Sequence, residues 1–468
     1  MTEQKKATST ETPSIEQDLY QKRKKIYPRQ VHGLFAALRV SGVSLLLGFF
    51  YIMPWLMWDG RQAILFDLPE RKFYILGMIF WPQDFIYLTM ILVIAALSLF
   101  FFTALAGRLW CGFACPQTVW TESFLYIERF IEGTRQQQMK LDKMPMNANK
   151  FFKKFSKHFI WITFSLFTGF TFVGYFTPIL DLSAAIPTLN LGPWEWFWIL
   201  FYGFATYGNA GWMREQVCTY MCPYARFQSA MIDKDTLIIS YDEKRGEPRG
   251  SRKRGQAPEQ VSLGSCVDCS ICVQVCPTGI DIRDGLQYQC IGCAACIDAC
   301  DDVMDKMGYP KGLIKYTTEN MLNGDRTRAF RPRILVYGMI LLGITIGTII
   351  AIMNLSPIEL DIIRDRNALF RETGMGMLEN VYTLKVINKD IVGHEYRLSV
   401  EGIKDLKLNL AKQRIYANSG SVVEIPMSIE VDPANLKQRT TEIFFKLEAI
   451  DTNLSVTEEA RFLGPRVR

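Results

Sequence analysis

The chain has 468 residues, a formal net charge of +6, and a composition that is 49% hydrophobic and 21% charged. This length allows several domains. The mixture of apolar and charged residues excludes both an ordinary soluble globule and a bare bundle of membrane helices. We therefore expect apolar spans that alternate with charged segments.

Basic residues are concentrated in three runs, Gln21–Arg29, Lys140–Lys157 and Lys244–Arg254. Nucleic-acid-binding proteins also carry such runs, but basic segments beside apolar spans are typical of the cytoplasmic side of membrane proteins. We predict a membrane protein with no nucleic-acid partner. The first 20 residues are polar and lack the apolar core of a signal peptide. Residues 1–33 are therefore expected to stay on the chain as a disordered basic cytoplasmic tail.

A membrane helix needs about 20 predominantly apolar residues. The segments that meet this requirement lie near Val40–Trp58, Phe85–Ala106, Phe159–Leu180, Trp194–Ala210 and Ile334–Met353. The fourth is the least regular, because Gly203, Gly208 and Asn209 interrupt it. The stretch Phe73–Trp81 is too short to span and is expected at the membrane interface. The sequence therefore predicts about five spans.

The distribution of Lys and Arg predicts how these spans are oriented. The basic residues before the first span are Lys22, Arg23, Lys24, Lys25 and Arg29. Eight more lie between Arg129 and Lys157, whereas Asp181–Pro193 contains none. Because positive loops stay in the cytoplasm, we expect the N-terminus and the cysteine-rich region inside, and the C-terminus in the periplasm.

The last part of the chain has a different character. Four segments are rich in β-branched residues and are separated by turn residues: Val381–Asn388, Glu395–Val400, Ser421–Val431 and Thr441–Ile450. They predict an antiparallel, Ig-like β-sandwich. The predicted fold class is a multi-domain membrane protein: an α-helical four-helix transmembrane region (34–235), a cytoplasmic double [4Fe–4S] ferredoxin-like domain (236–330), a fifth span (331–356) and the β-sandwich (357–468).

All 12 cysteines lie between Cys111 and Cys300 in short repeated spacings, which indicates metal binding rather than disulfides. Eight form two consecutive C-x₂-C-x₂-C-x₃-C runs, the spacing of bacterial ferredoxins, in which the fourth cysteine ligates the other cluster. The predicted ligands are Cys266, Cys269, Cys272 and Cys300 for cluster one, and Cys290, Cys293, Cys296 and Cys276 for cluster two. Asp301 replaces the proline expected after the second run. A pair of zinc sites is the alternative, but zinc motifs rarely show this doubled spacing.

Two further pairs, Cys111/Cys115 and Cys218/Cys222, each form a C-x₃-C-P motif after two predicted spans. Such a parallel repeat implies an approximate two-fold axis along the membrane normal, with both pairs at one depth. The four-residue spacing is expected to put both sulfurs of a pair on one helical face. Thiolates favour a soft ion such as Cu(I), and Met221 is a candidate thioether ligand. The alternative is buried, unreactive thiols.

The residues around these pairs give two further expectations. Pro116 and Pro223 suit the first turn of a new helix, so each pair should lie at a helix junction. The three histidines are His32, His158 and His394, and none lies inside a predicted span, which disfavours a membrane haem. His32 and His158 are weighed as ligands near the cytoplasmic edge against the alternative of solvated surface histidines.

The order of these motifs resembles one family, the cbb3-type cytochrome c oxidase accessory proteins (FixG/CcoG/RdxA). The resemblance covers essentially the whole chain after the polar tail. It implies a cupric reductase of the bacterial inner membrane that takes part in assembling cbb3-type oxidase. It also implies two [4Fe–4S] clusters on the eight cysteines above and copper handling by Cys111, Cys115, Cys218 and Cys222.

The expected partners are a cytoplasmic electron donor that the sequence does not identify, a copper transporter or chaperone, and oxidase assembly factors. A homodimer is a possible assembly, but the sequence does not reveal the oligomeric state. The alternative function is a quinol-oxidising conduit that feeds a periplasmic reductase, similar to the NapH-type membrane ferredoxins of periplasmic nitrate reduction. Those proteins generally lack a large exported sandwich, so residues 380–468 favour the copper function. A scaffold with purely structural clusters is the third alternative.

Overall fold

The computed structural model describes residues 25–256, 262–410 and 414–465. Most of the predicted tail, including Lys22, Arg23 and Lys24, lies outside them. In chain order, the helices are α1 (Leu34–Ile52), α2 (Phe85–Ala106), α3 (Leu109–Phe113), α4 (Pro116–Glu132), α5 (Arg135–Lys143), α6 (Ala148–Val173), α7 (Ile179–Ala185), α8 (Pro193–Thr206), α9 (Pro223–Met231), α10 (Glu243–Gly246), α11 (Ile271–Val275), α12 (Ala295–Met307), α13 (Glu319–Asn323) and α14 (Pro332–Met353), with π-helical turns over Tyr207–Met213 and Val217–Met221.

The strands are short in the first half of the chain and long near its end. They are β1 (Met57–Trp58), β2 (Arg61–Gln62), β3 (Ile64–Asp67), β4 (Lys72–Ile75), β5 (Met78–Phe80), β6 (Ile238–Tyr241), β7 (Ile314–Thr317), β8 (Ile358–Arg364), β9 (Arg371–Glu372), β10 (Leu378–Asn388), β11 (His394–Glu401), β12 (Lys407–Leu410), β13 (Arg414–Ala417), β14 (Val422–Val431), β15 (Thr440–Ala449) and β16 (Ser455–Leu463).

The chain divides into two compact units. The first comprises Met1–Val43, Ala106–Trp161 and Asn209–Thr327, and the second comprises Ser44–Leu105, Ile162–Gly208 and Arg328–Arg468. All twelve cysteines belong to the first unit. The β-sandwich belongs to the second.

Three helices in the described part of the chain are long and apolar enough to cross a membrane: Leu34–Trp55, Pro82–Ala106 and Pro332–Met353. No side chain of α1 is buried within the protein, as expected for a helix that is apolar on all sides and meets lipid. These helices indicate a membrane protein. The predicted bounds of the first span were wrong: its helix begins at Leu34, and Met57–Trp58 already belong to strand β1.

The third and fourth predicted spans are not among these three helices, so the number of five spans stays a prediction. The helices at both positions also have different bounds. Helix α6 begins at Ala148 and ends at Val173, so the basic segment before it is helical rather than a loop. Helix α8 ends at Thr206 and continues as π-helical turns. Gly203 does not interrupt α8. A Cβ atom on Gly169 of α6 would stand 2.2 Å from the Ile199 carbonyl oxygen of α8, so glycine permits the close approach of these helices.

The stretch that was expected at the membrane interface is a small β-sheet. Strands β3, β4 and β5 pair antiparallel in that order, and the register joins Phe66 to Phe73 and Phe73 to Phe80. Its position relative to a membrane stays a prediction.

The C-terminal strands form two antiparallel sheets. One has the order β12-β14-β10-β8, with β9 beside β10, and the other has the order β13-β11-β15-β16. Buried and partly exposed side chains alternate along most of β10, the pattern of a strand with one face in a core. The core draws Tyr382 from the first sheet and Tyr396 and Phe445 from the second. The predicted antiparallel sandwich is confirmed. Strands β8, β9, β12, β13 and β16 were not predicted.

Candidate functional site

The two ferredoxin-type runs fold as matching loops. In the first, Asp268 and Ser270 flank the middle cysteine with φ angles of 53° and 52°. In the second, Gly292 and Ala294 flank the middle cysteine with φ angles of 68° and 58°. Such left-handed residues are uncommon outside glycine. Here they turn each loop tightly around its middle cysteine, just before helix α11 or α12 begins.

The first group of cysteines surrounds a single cavity. Its lining includes Cys266, Cys269, Cys272 and Cys300, with the Arg283 side chain at the same cavity. Arg283 forms ion pairs with Asp268 at 2.6 Å and Asp281 at 2.6 Å. Burial raises the pKa of Cys272 to about 11, and the positive charge of Arg283 acts in the opposite direction. The donor set, four soft sulfurs around one cavity beside a cation, fits an anionic iron–sulfur cluster.

The second group consists of four partly buried cysteines. Cys276 lies within electrostatic range of the other members, which are Cys290, Cys293 and Cys296. Burial raises the pKa of Cys293 to about 12, so the free thiol is protonated at neutral pH and metal binding must release the proton. The structure thus brings together the two groups of four that the sequence assigns to separate clusters.

The C-x₃-C-P motifs lie at helix junctions, as predicted. Pro116 is the first residue of α4 and Pro223 is the first residue of α9, each preceded by a cysteine with extended backbone. The prediction that each pair shares one helical face was wrong. Cys111 lies in α3, whereas Cys115 follows the end of that helix. Each proline begins a separate helix, so the chain turns between the two sulfurs.

The two motifs nevertheless meet. Burial raises the pKa of the Cys111 thiol to about 12, and Cys115, Cys218 and Cys222 all lie near enough to raise it further by charge repulsion. We call these four cysteines the four-thiol site. Among the residues that the structure describes, no three His, Cys, Asp or Glu side chains are grouped as ligands of one metal ion. Met221 lies beside Cys222 with 57% of its surface exposed.

Three polar residues that the sequence did not single out hold the four-thiol site in place. Gln117 of α4 donates hydrogen bonds to the carbonyls of Asn209 (2.9 Å) and Arg214 (3.1 Å), in the segment before the second motif. Gln228 of α9 accepts a hydrogen bond from the Cys111 thiol at 3.4 Å. Arg108 donates to the carbonyl of Ala225 at 2.7 Å. Each of them therefore joins one motif to the other.

The four-thiol site also packs directly against the second ferredoxin run. A Cβ atom on Gly112 would stand 2.6 Å from the Gly292 oxygen and 2.9 Å from the Cys293 Cα. Only glycine allows two backbones to approach this closely. Arg108 adds a hydrogen bond of 3.0 Å to the Cys290 carbonyl. Gly112, next to Cys111 of the four-thiol site, thus packs directly against the loop that contains Cys293 of the second ferredoxin run.

Known families match three segments of the chain. Residues 213–319 match a 4Fe-4S dicluster domain, residues 88–132 match a 4Fe-4S binding domain, and residues 348–465 match the IG-like fold at the C-terminus of FixG. The chain is therefore an iron–sulfur protein with an Ig-like C-terminal domain.

Curated relatives extend over most of the chain. Nitrogen fixation protein FixG of Rhizobium meliloti is 38% identical over 432 residues, which cover 84% of this chain and 82% of the relative. Protein RdxB of Cereibacter sphaeroides is 39% identical and covers 87% of both chains. Protein RdxA of the same organism is 39% identical over 84% of this chain and 86% of the relative. The chain belongs to the FixG/RdxA/RdxB family. A solved FixG-related protein from Vibrio parahaemolyticus is 40% identical over 23% of this chain and 97% of that structure, with a TM-score of 0.22.

In this FixG-family protein, a buried ion network supports the second motif. Glu128 of α4 is 1% exposed and binds Arg214 at 2.8 Å and Lys157 at 3.2 Å. Burial by itself raises the pKa of Glu128, but Arg214 and Lys157 outweigh it and the pKa lies below its usual value. The network fixes Arg214 ahead of Cys218. Lys157, which the sequence analysis used only as an orientation signal, therefore also has a structural role.

The three histidines have different surroundings. His158 packs edge-on against Trp161, with ring centroids 5.3 Å apart, and His32 is exposed just before α1. His394 lies in the sandwich and contacts two carboxylates. A ligand role for His32 or His158 therefore stays a prediction.

Proposed function

We propose that this protein is a membrane-bound iron–sulfur electron carrier that reduces Cu(II) to Cu(I) for assembly of cbb3-type cytochrome c oxidase. Two [4Fe–4S] clusters, one on each group of four ferredoxin-type cysteines, would supply one-electron transfer when bound. Copper is the substrate, and the four-thiol site receives it.

The contact between Gly112 and the Gly292–Cys293 backbone carries this proposal. Here the backbone of α3, which carries Cys111, packs directly against the backbone of the loop that carries Cys293. An electron that reaches the second cysteine group is therefore next to the four-thiol site. Thiolates stabilise Cu(I) relative to Cu(II), so the same sulfurs that hold the ion favour its reduction.

The exposed side of the site suggests where Cu(I) leaves. Tyr220, Met221, Cys222 and Phe227 line an open cavity on the surface. Cys222 and Met221 offer a thiol and a thioether there, and Cu(I) can pass between such soft ligands. A copper transporter or a copper chaperone is the proposed recipient.

The proposed location is the bacterial inner membrane, with the N-terminus and the cysteine groups in the cytoplasm and the sandwich in the periplasm. The backbone amides of Phe35 and Ala36, at the start of α1, bond to Asp298 in the second cysteine run. The cysteine groups are thus at the N-terminal end of the first membrane helix. The charge bias around Arg129–Lys157 supports the cytoplasmic side for that end.

The proposal is tested with the purified protein, reduced by dithionite and mixed with Cu(II) and a Cu(I)-specific chelator. Replacing Cys111 and Cys218 together by Ala should lower the rate of copper reduction by at least roughly 10- to 100-fold. Loss of a residue that only supports a metal ligand already has an effect of this size. The iron content should stay unchanged. Met321→Ala, which removes an exposed thioether elsewhere in the first unit, is the control and should reduce copper normally. Copper reduction that survives in the double variant contradicts the proposal.

A further inference from the structure

A cavity of about 430 Å³ lies beside the second cysteine group. Cys290 lines it, and all its lining residues belong to the first unit. Its volume falls in the range of roughly 300–1,000 Å³ that is usual for small-molecule sites. None of the four-thiol cysteines lines it, so copper binding at those thiols does not account for it.

The chemistry of the cavity suits a flat, amphiphilic ring. Tyr288 and Tyr316 supply aromatic surface, and Leu286 supplies apolar surface. Aromatic rings prefer offset or edge contacts with other rings, which such walls provide.

The cavity is also lined by Asp233, Lys234 and Glu319. The Lys234 ammonium lies 3.9 Å from the Glu319 carboxylate. Asp233 accepts hydrogen bonds from the Asp235 amide and the Thr236 hydroxyl. The two carboxylates can exchange protons with a hydroxyl group.

The cavity begins where a membrane helix ends. Ala106, the last residue of α2, lines it together with Arg108 and Leu109. Helix α2 is one of the helices that are apolar enough to span a bilayer. Apolar side chains around the cavity are exposed, with Leu109 at 40% and Leu286 at 50%. A position at the end of an apolar helix, with apolar side chains around it, favours a ligand that is soluble in the membrane.

Arg108 ties this cavity to the cysteine loop. Its side chain is 8% exposed, lines the cavity and donates a 3.0 Å hydrogen bond to the Cys290 carbonyl. A ligand ring that rests against Arg108 and Cys290 is thus adjacent to the second cysteine group.

We propose that this cavity binds the hydroquinone of the membrane quinone pool and is where electrons reach the protein. The inference rests on the proposed function, because Cys290 matters here as a proposed cluster ligand. A hydroquinone combines the aromatic ring, the two hydroxyl groups and the membrane solubility that the walls and the position of the cavity select.

The reaction balances with copper as the acceptor. One hydroquinone loses two electrons and two protons and becomes a quinone, and two Cu(II) ions become two Cu(I) ions. Glu319 and Asp233 accept the two protons. Glu319, whose side chain is 53% exposed, passes them on to solvent.

Binding is tested first, without turnover. Isothermal titration calorimetry of the oxidised holoprotein in detergent uses decylubiquinone and a short-chain menaquinone as probes.

Ser229 lines the cavity from the exposed side of α9, and Ser229→Trp should fill it. We expect the wild type to bind at least one probe and Ser229→Trp to bind it at least about tenfold more weakly, since a Trp side chain fills the space an aromatic ligand needs. Lys306→Trp carries the same bulk to an exposed position outside the cavity and should bind like the wild type. Failure of both probes to bind, or equal affinity in Ser229→Trp, overturns the inference.

Electron transfer is tested next under anaerobic conditions. Decylubiquinol or the matching menaquinol should bleach the visible absorbance of the wild type and of Lys306→Trp, but bleach Ser229→Trp at least about tenfold more slowly. Dithionite, which needs no cavity, should reduce all three equally. If reduced flavin mononucleotide bleaches the protein and neither quinol does, the inference is wrong. If a quinol bleaches the wild type but no Cu(I) forms, even with dithionite, the copper function fails while the quinol site stands.

Discussion

At the scale of single residues, His394 makes the sandwich sensitive to pH. Its Nδ1 lies 2.8 Å from Asp451 and its Nε2 lies 3.1 Å from Asp390. Burial by itself lowers the pKa of His394, but the hydrogen bonds to the two carboxylates outweigh it and the pKa lies above the ordinary 6.5. The same contact lowers the pKa of Asp451. The folded sandwich therefore binds the histidine proton more tightly than the unfolded chain does.

We predict that the sandwich loses stability as the pH rises from about 6.5 through the raised pKa of His394. A group with a raised folded-state pKa stabilises fully below its unfolded pKa, and the gain disappears as the proton leaves. Hydrogen-exchange protection of strands β11 and β13, measured in the full chain between pH 6 and 9 and corrected for intrinsic exchange, checks this. His394→Gln keeps a polar side chain but cannot titrate, so its protection should not change with pH. An equal pH dependence in this variant would contradict the prediction.

At the scale of elements, the start of α1 is anchored to α12. The carboxylate of Asp298 accepts hydrogen bonds from the amides of Phe35 (3.2 Å) and Ala36 (2.7 Å). These amides have no partner within their own helix, and the negative charge also complements the helix N-terminus. A Cβ atom on Gly33 would collide with this carboxylate, so glycine is needed just before the helix. A membrane helix thus begins on the cysteine-rich domain.

We predict that Asp298→Ala loosens this junction. Loss of a side chain that caps a helix costs about 0.5–2 kcal/mol, so amide exchange at residues 34–37 should accelerate. Asp298→Asn keeps one acceptor oxygen and should lie between the wild type and the Ala variant. Hydrogen-exchange mass spectrometry in detergent measures both. The exposed Asp302 of the same helix provides the control Asp302→Ala, which should leave residues 34–37 unchanged. Unchanged exchange in Asp298→Ala would mean that the contact does not hold the helix.

Sequence predicted some elements well because their signals are local. The β-branched residues of β10 and β14 show partial alternation. The observed β10 begins three residues before the predicted strand, and the observed β14 begins one residue after it. Proline at the start of α4 and α9 fixed two helix beginnings. Strand β13 has four residues and β16 contains Glu458 and Glu459 at exposed positions, so neither shows a strong apolar pattern.

The candidate site also has features that local sequence predicts and features that it does not predict. Spacing was sufficient to group the eight ferredoxin-type cysteines, because three members of each group lie within seven residues. The contact of Gly112 with Gly292 joins positions 180 residues apart (292 minus 112), and no local pattern encodes it. The same holds for Arg108, which contacts Ala225 and Cys290. Sequence therefore identifies the metal-binding residues, whereas the path between them requires the tertiary structure.

At the scale of the whole molecule, the redox chemistry is confined to one unit. All twelve cysteines lie in the first unit, and the second carries the sandwich. The iron content of the whole chain therefore reports on the first unit alone. Two filled [4Fe–4S] sites give about eight iron atoms per chain.

We predict that the iron divides between the two groups. Cys300→Ala removes a cysteine from the cavity it shares with Cys266, Cys269 and Cys272, so about four iron atoms should remain. Cys276→Ala should leave a similar amount, from the other cluster. Cys218→Ala is the matched control: it removes a partly buried thiol from the four-thiol site and should keep about eight iron atoms. Iron analysis and electron paramagnetic resonance of the reduced proteins measure both number and identity. A loss of about four iron atoms in Cys218→Ala would show that the four-thiol site holds iron, and the copper assignment would then fail.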